Sequence, residues 1–408
     1  MLKKIWIIAP FTSVERLDDR NRFQYIAKSL SRKYETHLFT SDFIHLKKVF
    51  RDADIKDKFI YKLHLIHEKG YQKNISIRRA ISHIMFAFNL KKEIKNMRKP
   101  DLIYCAYPTM TSAYFMGKFA ERNKIPFILD IQDTWPESIS AGLNTRNLFI
   151  KGCMFPFTVY ANIIYRLADV IIGVSETYAN RGKVKGTKAK EFISVYIGAE
   201  GNKFENIDIN NMIEKSNSEI WITYIGTLSH SYDIETALDA FGLLKNESRD
   251  NIKLYILGIG SDYKKLKEKA MKLDILNKTV FFKGLLEYKT MIAYLKKSDI
   301  ALNAIKKDAL QTITNKFGDY VSAGLPILNS CCSEEVLSLI EEKELGENYI
   351  PGDSVSLKEK ILFMLRDENK LKEYGENSKN FSKEKFDRKN SYQNIFSIID
   401  RTLFKEVK

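Results

Sequence analysis

Short apolar runs alternate with longer stretches of helical spacing along the whole chain. "KIWIIAP" gives way to "DDRNRFQYIAKSLSRKY" and then "ETHLFTS"; later come "DLIYCAY", "PFILDIQD", "DVIIGVS" and "FISVYIGAE". After a polar, asparagine-rich stretch the habit resumes with "IWITYIGTLS", "DIETALDAFGLLK", "IKLYILGIG", "SDYKKLKEKAMKL", "TVFFKGLL", "DIALNAI" and "PILNSC". Apolar strands separated by helices predict parallel sheets covered on both faces. Two such series predict an α/β protein of two doubly wound, Rossmann-like domains facing a cleft. The first domain is expected over 1–200, a linker over 201–217 and the second domain over 218–380. Ligands of such sheets bind at the carboxyl ends of the strands, so the cleft is the expected site.

Composition changes this picture little. The chain has 408 residues, 44% apolar and 29% charged, which suits a soluble globular protein of two or three domains. The longest uncharged stretch, 102–117, contains Pro108 and falls short of the roughly 20 apolar residues of a spanning helix. The amino terminus turns charged with no small-residue cleavage site, so it reads as a buried first strand and the protein as cytoplasmic. Cys105, Cys153, Cys331 and Cys332 lack metal-ligand spacing and are expected to be reduced.

Charge is more informative. Residues 1–200 hold 34 Lys and Arg against 19 Asp and Glu, whereas 201–408 hold 32 of each. The whole excess of +15 therefore lies in the first half, which points to an anionic partner there unless it reflects a lysine-rich surface alone. "RRAISHIMFAFNLKKEIKNMRK" and "LFIKGCMFPFTVYANIIYRLA" combine cations with apolar and aromatic residues, as an anionic membrane interface requires. A core-facing helix with a solvated lysine face is the alternative. No recognition helix or stacking-sheet signature points to nucleic acid.

The chemistry gathers in "QTITNKFGDYVSAGLPILNS", residues 311–330. A helix is predicted from about Thr314 to Ala323, closed by Gly324 and Pro326. Its first-turn N–H groups, its dipole and Lys316 make an anion site suited to phosphate, with Thr312 and Thr314 adding hydroxyl donors. Asp319, one turn further in, would repel that phosphate but can accept hydrogen bonds from paired hydroxyls, as on a ribose. The implied ligand is a nucleotide carrying a diphosphate. A threonine-capped helix with a dipole-complementing aspartate would also produce the pattern. "YIGTLS" places Gly226 and Thr227 in a strand-to-helix turn that lets a phosphate approach closely. Lys283 and Gly284 end a strand where backbone groups can read a base.

These segments, in this order, resemble the donor half of retaining glycosyltransferases of family 4, with the GT-B fold. "ILDIQDTWPES" and "ADVIIGVSETYANRG…VYIGAEGNKF" resemble the first half of the same family, closest to the subgroup that builds bacterial capsule and O-antigen polysaccharides. The resemblance implies a hexosyltransferase with donor sugar nucleotide on the second domain and acceptor on the first. The acceptor would be an oligosaccharide or a polyprenyl-diphosphate-linked sugar, and the enzyme would be peripheral on the inner face of the cell membrane. The C-terminal helix, about 380–408, is expected to pack back onto the first domain.

The family's two acids, eight positions apart, fall on Gln311 and Asp319. The second keeps its ribose role; at the first a glutamine replaces the acid that contacts the donor sugar. Thr312, Thr314, Asn315 and Lys316 match the stretch that holds the diphosphate. Asp133 would contact the sugar or the incoming hydroxyl, although it can also cap the turn before Pro136. Trp135 and Glu137 lie on the acceptor side, and Arg22 matches a family arginine near the phosphates unless it is a surface residue. The implied reaction is a front-face displacement with retention, needing no metal and no cofactor. The alternatives are a sugar-nucleotide epimerase of the same fold, or a non-catalytic sugar-nucleotide or membrane-binding partner that lost its acid at Gln311.

Overall fold

The computed structural model describes residues 2–14, 21–45, 47–52, 55, 58–73, 76–140, 148–198, 204, 207–209, 212–309 and 311–404. The chain forms two compact units, one of 1–196 with 392–408 and the other of 197–391. Of the expected linker, 201–203, 205–206 and 210–211 lie outside the described residues.

The first unit is built on a parallel sheet ordered β5-β2-β1-β6-β7-β8-β9. Its strands are β1 (Lys4–Ile8), β2 (Glu35–Ser41), β5 (Lys62–Ile66), β6 (Leu102–Tyr107), β7 (Phe127–Ile131), β8 (Val170–Gly173) and β9 (Glu191–Ser194). A small antiparallel hairpin, β3 (Phe43–Ile44) with β4 (Val49–Phe50), stands beyond the end of β2. Every residue of β1, β6 and β7 is buried, which explains why the sequence shows unbroken apolar runs there rather than alternation. β5 and the hairpin carry no such run, and the apolar pattern predicts no strand at either.

The helices of this unit include α1 (Arg22–Leu30), α2 (Ile77–Ile94) and α3 (Met110–Asn123). Asn21 and Ser76 start α1 and α2 by accepting from Phe23 N and Arg79 N. A further helix, α4 (Leu148–Arg166), packs with α2 against α3. The terminal helix Gln393–Phe404 sends Ile395, Ile398 and Ile399 into the core of this unit.

The second unit repeats the plan with the order β12-β11-β10-β13-β14-β15. These strands are β10 (Ile220–Ile225), β11 (Ile252–Leu257), β12 (Val280–Gly284), β13 (Ile300–Asn303), β14 (Ile327–Asn329) and β15 (Gly346–Asn348). β10 and β13 pair in parallel through Ile222 and Thr223. Two of its helices carry site residues, α5 (Tyr288–Lys297) and α6 (Asn315–Ser322). Both units are therefore the doubly wound α/β type predicted. Among the described residues no helix is long and apolar enough to cross a membrane.

Candidate functional site

In the second unit, α6 begins after Thr314, whose extended backbone precedes the first turn, and ends before Gly324, whose φ of +71° suits glycine. Phe317, Tyr320 and Val321 are its buried face. The Tyr320 hydroxyl donates to Leu302 O at 3.0 Å and accepts from Ile225 N at 3.0 Å. One phenol thus pins the helix to the carboxyl ends of β13 and β10, beside the turn at Gly226.

That turn depends on glycine. Gly226 has a φ of +128°, and a Cβ at Gly258 would lie 1.8 Å from Gly226 O. The two glycine turns cross with backbone touching backbone, so the second is structural. A Cβ on Gly226 would stand 3.8 Å from Lys316 Nζ, which puts the sequence-predicted turn and cation side by side.

Lys316 is 7% exposed. Its ammonium lies 3.6 Å from the centre of the Tyr232 ring and 3.4 Å from the Tyr224 hydroxyl, which itself donates to Thr227 O at 2.8 Å. No carboxylate pairs with it among the described residues, and burial pushes its pKa well below the ordinary lysine value. Cation–π contact offsets only part of that cost. A buried cation faced by two aromatic rings and a glycine turn is a site short of one anion.

Two polar atoms of the same segment have no partner among the described residues. Thr314 does not use its hydroxyl as a helix cap, and its Oγ1 is buried and unpartnered. The capping role open to this threonine in the sequence is therefore not taken up. Gln311 Oε1 is likewise buried with no partner among the described residues, while its main-chain oxygen accepts from Cys331 Sγ at 3.1 Å. Thr312 is buried and Asn315 exposed on the first turn.

Asp319 is half-buried one turn further along α6. The Tyr288 hydroxyl, at the start of α5, donates to it at 3.5 Å. Burial pushes its carboxyl up to about 7, against the opposing pull of Tyr288 and Arg388. Lys283 and Gly284 end β12, but the Lys283 ammonium lies over the rings of Phe281, Tyr255 and Tyr294, at 5.5, 5.6 and 6.0 Å. No contact joins it to Lys316 or Asp319. Gly284, with φ of +70°, has open space where a Cβ would go. Sequence reasoning missed Tyr224, Tyr232 and Tyr288; an aromatic two residues before a glycine turn is the only signal it could have used.

In the first unit, Arg22 is not the surface residue that the sequence also allowed. It is 3% exposed, and its Nε donates to Asp130 Oδ2 at 2.8 Å and its Nη1 to Val195 O at 2.9 Å. An arginine held this way fixes strands and has no face to offer a ligand. Asp133 follows β7 and accepts from Trp135 Nε1 at 3.0 Å. Trp135 stacks on His83 with centroids 5.8 Å apart. Glu137 is ion-paired to Arg181 at 2.7 Å, which gives it a structural partner. Among the described residues no cluster of three His, Cys, Asp or Glu could hold a metal ion, and the four cysteines are free.

Residues 208–381 match the model of the family described as "Glycosyl transferases group 1". An uncharacterized glycosyltransferase of Methanocaldococcus jannaschii is 27% identical over 249 residues, spanning 59% of this chain and 60% of that protein. Anabaena HepE, solved with UDP, superposes with a TM-score of 0.71 at 14% identity, covering 98% of this chain and 100% of HepE. A HepE structure with UDP-glucose matches at a TM-score of 0.66 and 16% identity, covering 97% and 99%. WaaG, a glycosyltransferase involved in lipopolysaccharide biosynthesis, gives a TM-score of 0.63 at 14% identity over 97% of this chain and 99% of its own. The fold is that of GT-B glycosyltransferases. The matched segment contains the Lys316 site whole, from Gly226 to Asp319.

Proposed function

We propose that the protein transfers a hexose from a nucleotide-diphosphate donor to a lipid-linked or oligosaccharide acceptor in bacterial surface polysaccharide synthesis. The observation that carries this is the buried Lys316 ammonium, unpaired with any described carboxylate, beside the Gly226 turn and the α6 amino terminus. A diphosphate would receive Lys316, the first-turn N–H groups and the Thr314 hydroxyl, while Asp319 would take the ribose hydroxyls. As the glycosidic phosphate leaves, Lys316 would neutralise the charge developing on it. The reading includes retention and no metal: the leaving phosphate oxygen helps take the acceptor proton, and Asp133 contacts the sugar or the incoming hydroxyl. HepE in complex with UDP-glucose and WaaG in lipopolysaccharide synthesis support the donor and pathway classes. Gln311 favours a second reading, a non-catalytic sugar-nucleotide binder, because an amide stands where the resemblance implies an acid.

Binding measured by titration with UDP, GDP, TDP and CDP tests the donor site. One nucleotide is expected to bind selectively, with an affinity that falls as pH drops from 8 to 6. The sign follows from Asp319: ribose hydroxyls donate to the ionised carboxylate, and with a pKa of about 7 in the free protein it is protonated below that pH. Asp319→Asn removes this acid limb, so the difference between the two profiles isolates it from the titration of the nucleotide itself. Identical profiles would sink the ribose assignment. Sugar transfer by the wild type eliminates the non-catalytic reading.

We also propose that the first unit docks on an anionic membrane surface. Ile81, Ile84 and Phe88 of α2 are exposed, while Phe86, Leu90 and Ile94 face the core. The apolar residues that the sequence offered as either core or interface therefore include an outward set. Phe155 and Phe157 of α4 are also exposed, at 67% and 51%. Together with Arg78, Lys91 and Lys92 they fit an interfacial surface. Co-sedimentation with phosphatidylglycerol vesicles is expected for the wild type and lost in a Phe88→Asp, Phe157→Asp variant; equal sedimentation of both would overturn it.

A further inference from the structure

In the second unit, the loop that follows β14 is clamped from both sides. The last residues of β13, β14 and β15 are asparagines in register, Asn303 beside Asn329 and Asn329 beside Asn348. Asn329 Oδ1 accepts from Asn303 Nδ2 at 2.8 Å and from Cys331 N at 3.1 Å. Its Nδ2 donates to Asn348 Oδ1 at 2.8 Å and to Cys331 O at 3.3 Å. One amide, 0% exposed, thus uses both of its N–H donors and both lone pairs. Ser330 adds a second clamp. Its N donates to Asn303 O at 3.1 Å, while its hydroxyl donates to Ile305 O and accepts from Ile305 N, both at 2.9 Å.

This framework fixes Cys331, whose side chain is turned toward another part of the site. Cys331 is 0% exposed, and its Sγ donates to Gln311 O at 3.1 Å. Burial pushes the thiol up to about 11, against the pull of the Ser333 N–H bonded to the sulfur and of the Lys316 charge. The proton therefore stays on sulfur through the neutral range, as donation to a carbonyl requires. Cys331 and Lys316 act on each other electrostatically, so the thiol belongs to the same site.

Two parts of that site are anchored by different devices. Helix α6, with Lys316 and Asp319, is pinned to β10 and β13 by the Tyr320 hydroxyl. Gln311 lies before α6 in irregular chain, and among the described residues its one hydrogen bond is the one from Cys331. Its Oε1 is buried and has no partner among those residues.

We propose that Cys331 is a positioning residue for the donor sugar: it holds the Gln311 main chain so that the glutamine amide meets the sugar hydroxyls. This rests on the reading of the Lys316 site as a donor site with Gln311 at the sugar. A thiol is a weak donor, so the bond adds little to stability. Its effect is on placement, where a shift of about 1 Å costs on the order of 100-fold in rate.

Calorimetric titration of the full chain with UDP, GDP, TDP and CDP, and with UDP-glucose, GDP-mannose, TDP-glucose and CDP-glucose, gives what each sugar adds to its nucleotide. The ratio of conjugate affinity to nucleotide affinity is expected to fall about fivefold or more in Cys331→Ala and in Gln311→Ala. The double variant is expected to fall no further than Gln311→Ala, because the thiol acts through Gln311 alone. Cys331→Ser, whose hydroxyl donates to the same carbonyl, is expected to recover most of the ratio. Cys331→Val fills the space without a donor and gives the alanine result where a cavity disturbs the loop. Losses that add in the double variant, or a wild-type ratio in both Cys331→Ala and Cys331→Val, would overturn the positioning role. A wild-type ratio in Gln311→Ala for every conjugate takes Gln311 away from the sugar and overturns it as well, with the nucleotide site left standing. If no nucleoside diphosphate binds, the donor-site reading fails and the positioning role falls with it.

Discussion

Lys316→Ala is expected to weaken nucleoside diphosphate binding by roughly 10- to 100-fold and to reduce turnover of bound donor by a further factor on the order of 100. The first factor follows from a charge-assisted contact to the ground-state diphosphate. The second follows because charge grows on the leaving phosphate as the glycosidic bond breaks, so the same ammonium contributes more in the transition state. A purely structural lysine would behave differently, and Lys316→Met separates the two. In the free protein the ammonium is buried, unpaired with any described carboxylate and strongly discouraged from charging. Methionine fills the same channel beside Tyr232 and Tyr224 without that cost. Its melting temperature is therefore expected to equal or exceed that of the wild type while nucleotide affinity falls as in the alanine variant. Retained affinity in Lys316→Met, measured by calorimetric titration, would sink the phosphate assignment. A lowered melting temperature with normal affinity would make Lys316 a packing residue.

The parts of this site that the sequence reveals are those set by local rules. Thr314 and Gly324 bracket α6 because an extended residue and a left-handed glycine are what a helix of this length needs at its ends. Lys316 and Asp319 are then one turn apart whatever the tertiary structure does. Gly226 is legible for the same reason, as a turn directly after a strand. Tyr232, Tyr224 and Tyr288 are not, since nothing local distinguishes a tyrosine that meets Lys316 from one in the core. The pairing of α6 with β10 rests on the Tyr320 hydroxyl reaching across about a hundred residues of sequence, and such contacts come from sheet order rather than from pattern. Arg22 shows a limit of another kind. At the start of a helix it reads as a phosphate-side or surface arginine, and nothing local shows that the aspartate hidden in the apolar run "FILDI" pairs with it.

Asp130→Ala is expected to destabilise the first unit by about 3–5 kcal/mol, because it strands the buried Arg22 guanidinium without its counter-charge. Asp130 is fully buried in β7, and it accepts from Arg22 Nε at 2.8 Å, Tyr104 OH at 2.5 Å and Gln132 Nε2 at 2.6 Å. Removing it therefore leaves several donors unmet, not one. Arg22→Met with Asp130→Leu removes charge from both sides, and this double variant is expected to recover most of the loss, as buried pairs replaced by apolar residues commonly do. Urea unfolding of the two single variants and the double variant measures the coupling. Additive losses would mean that Arg22 and Asp130 act independently and that the geometry overstates their bond. Strong coupling would mean that the pair is there for placement more than for net stability. Asp133 and Trp135 lie three and five residues beyond Asp130 on the same strand end, so a strand anchored through Asp130 holds the residues proposed to meet the acceptor. In that case the double variant, though stable, should show a raised KM for acceptor with the nucleotide affinity of the wild type, a split that loss of stability alone does not produce.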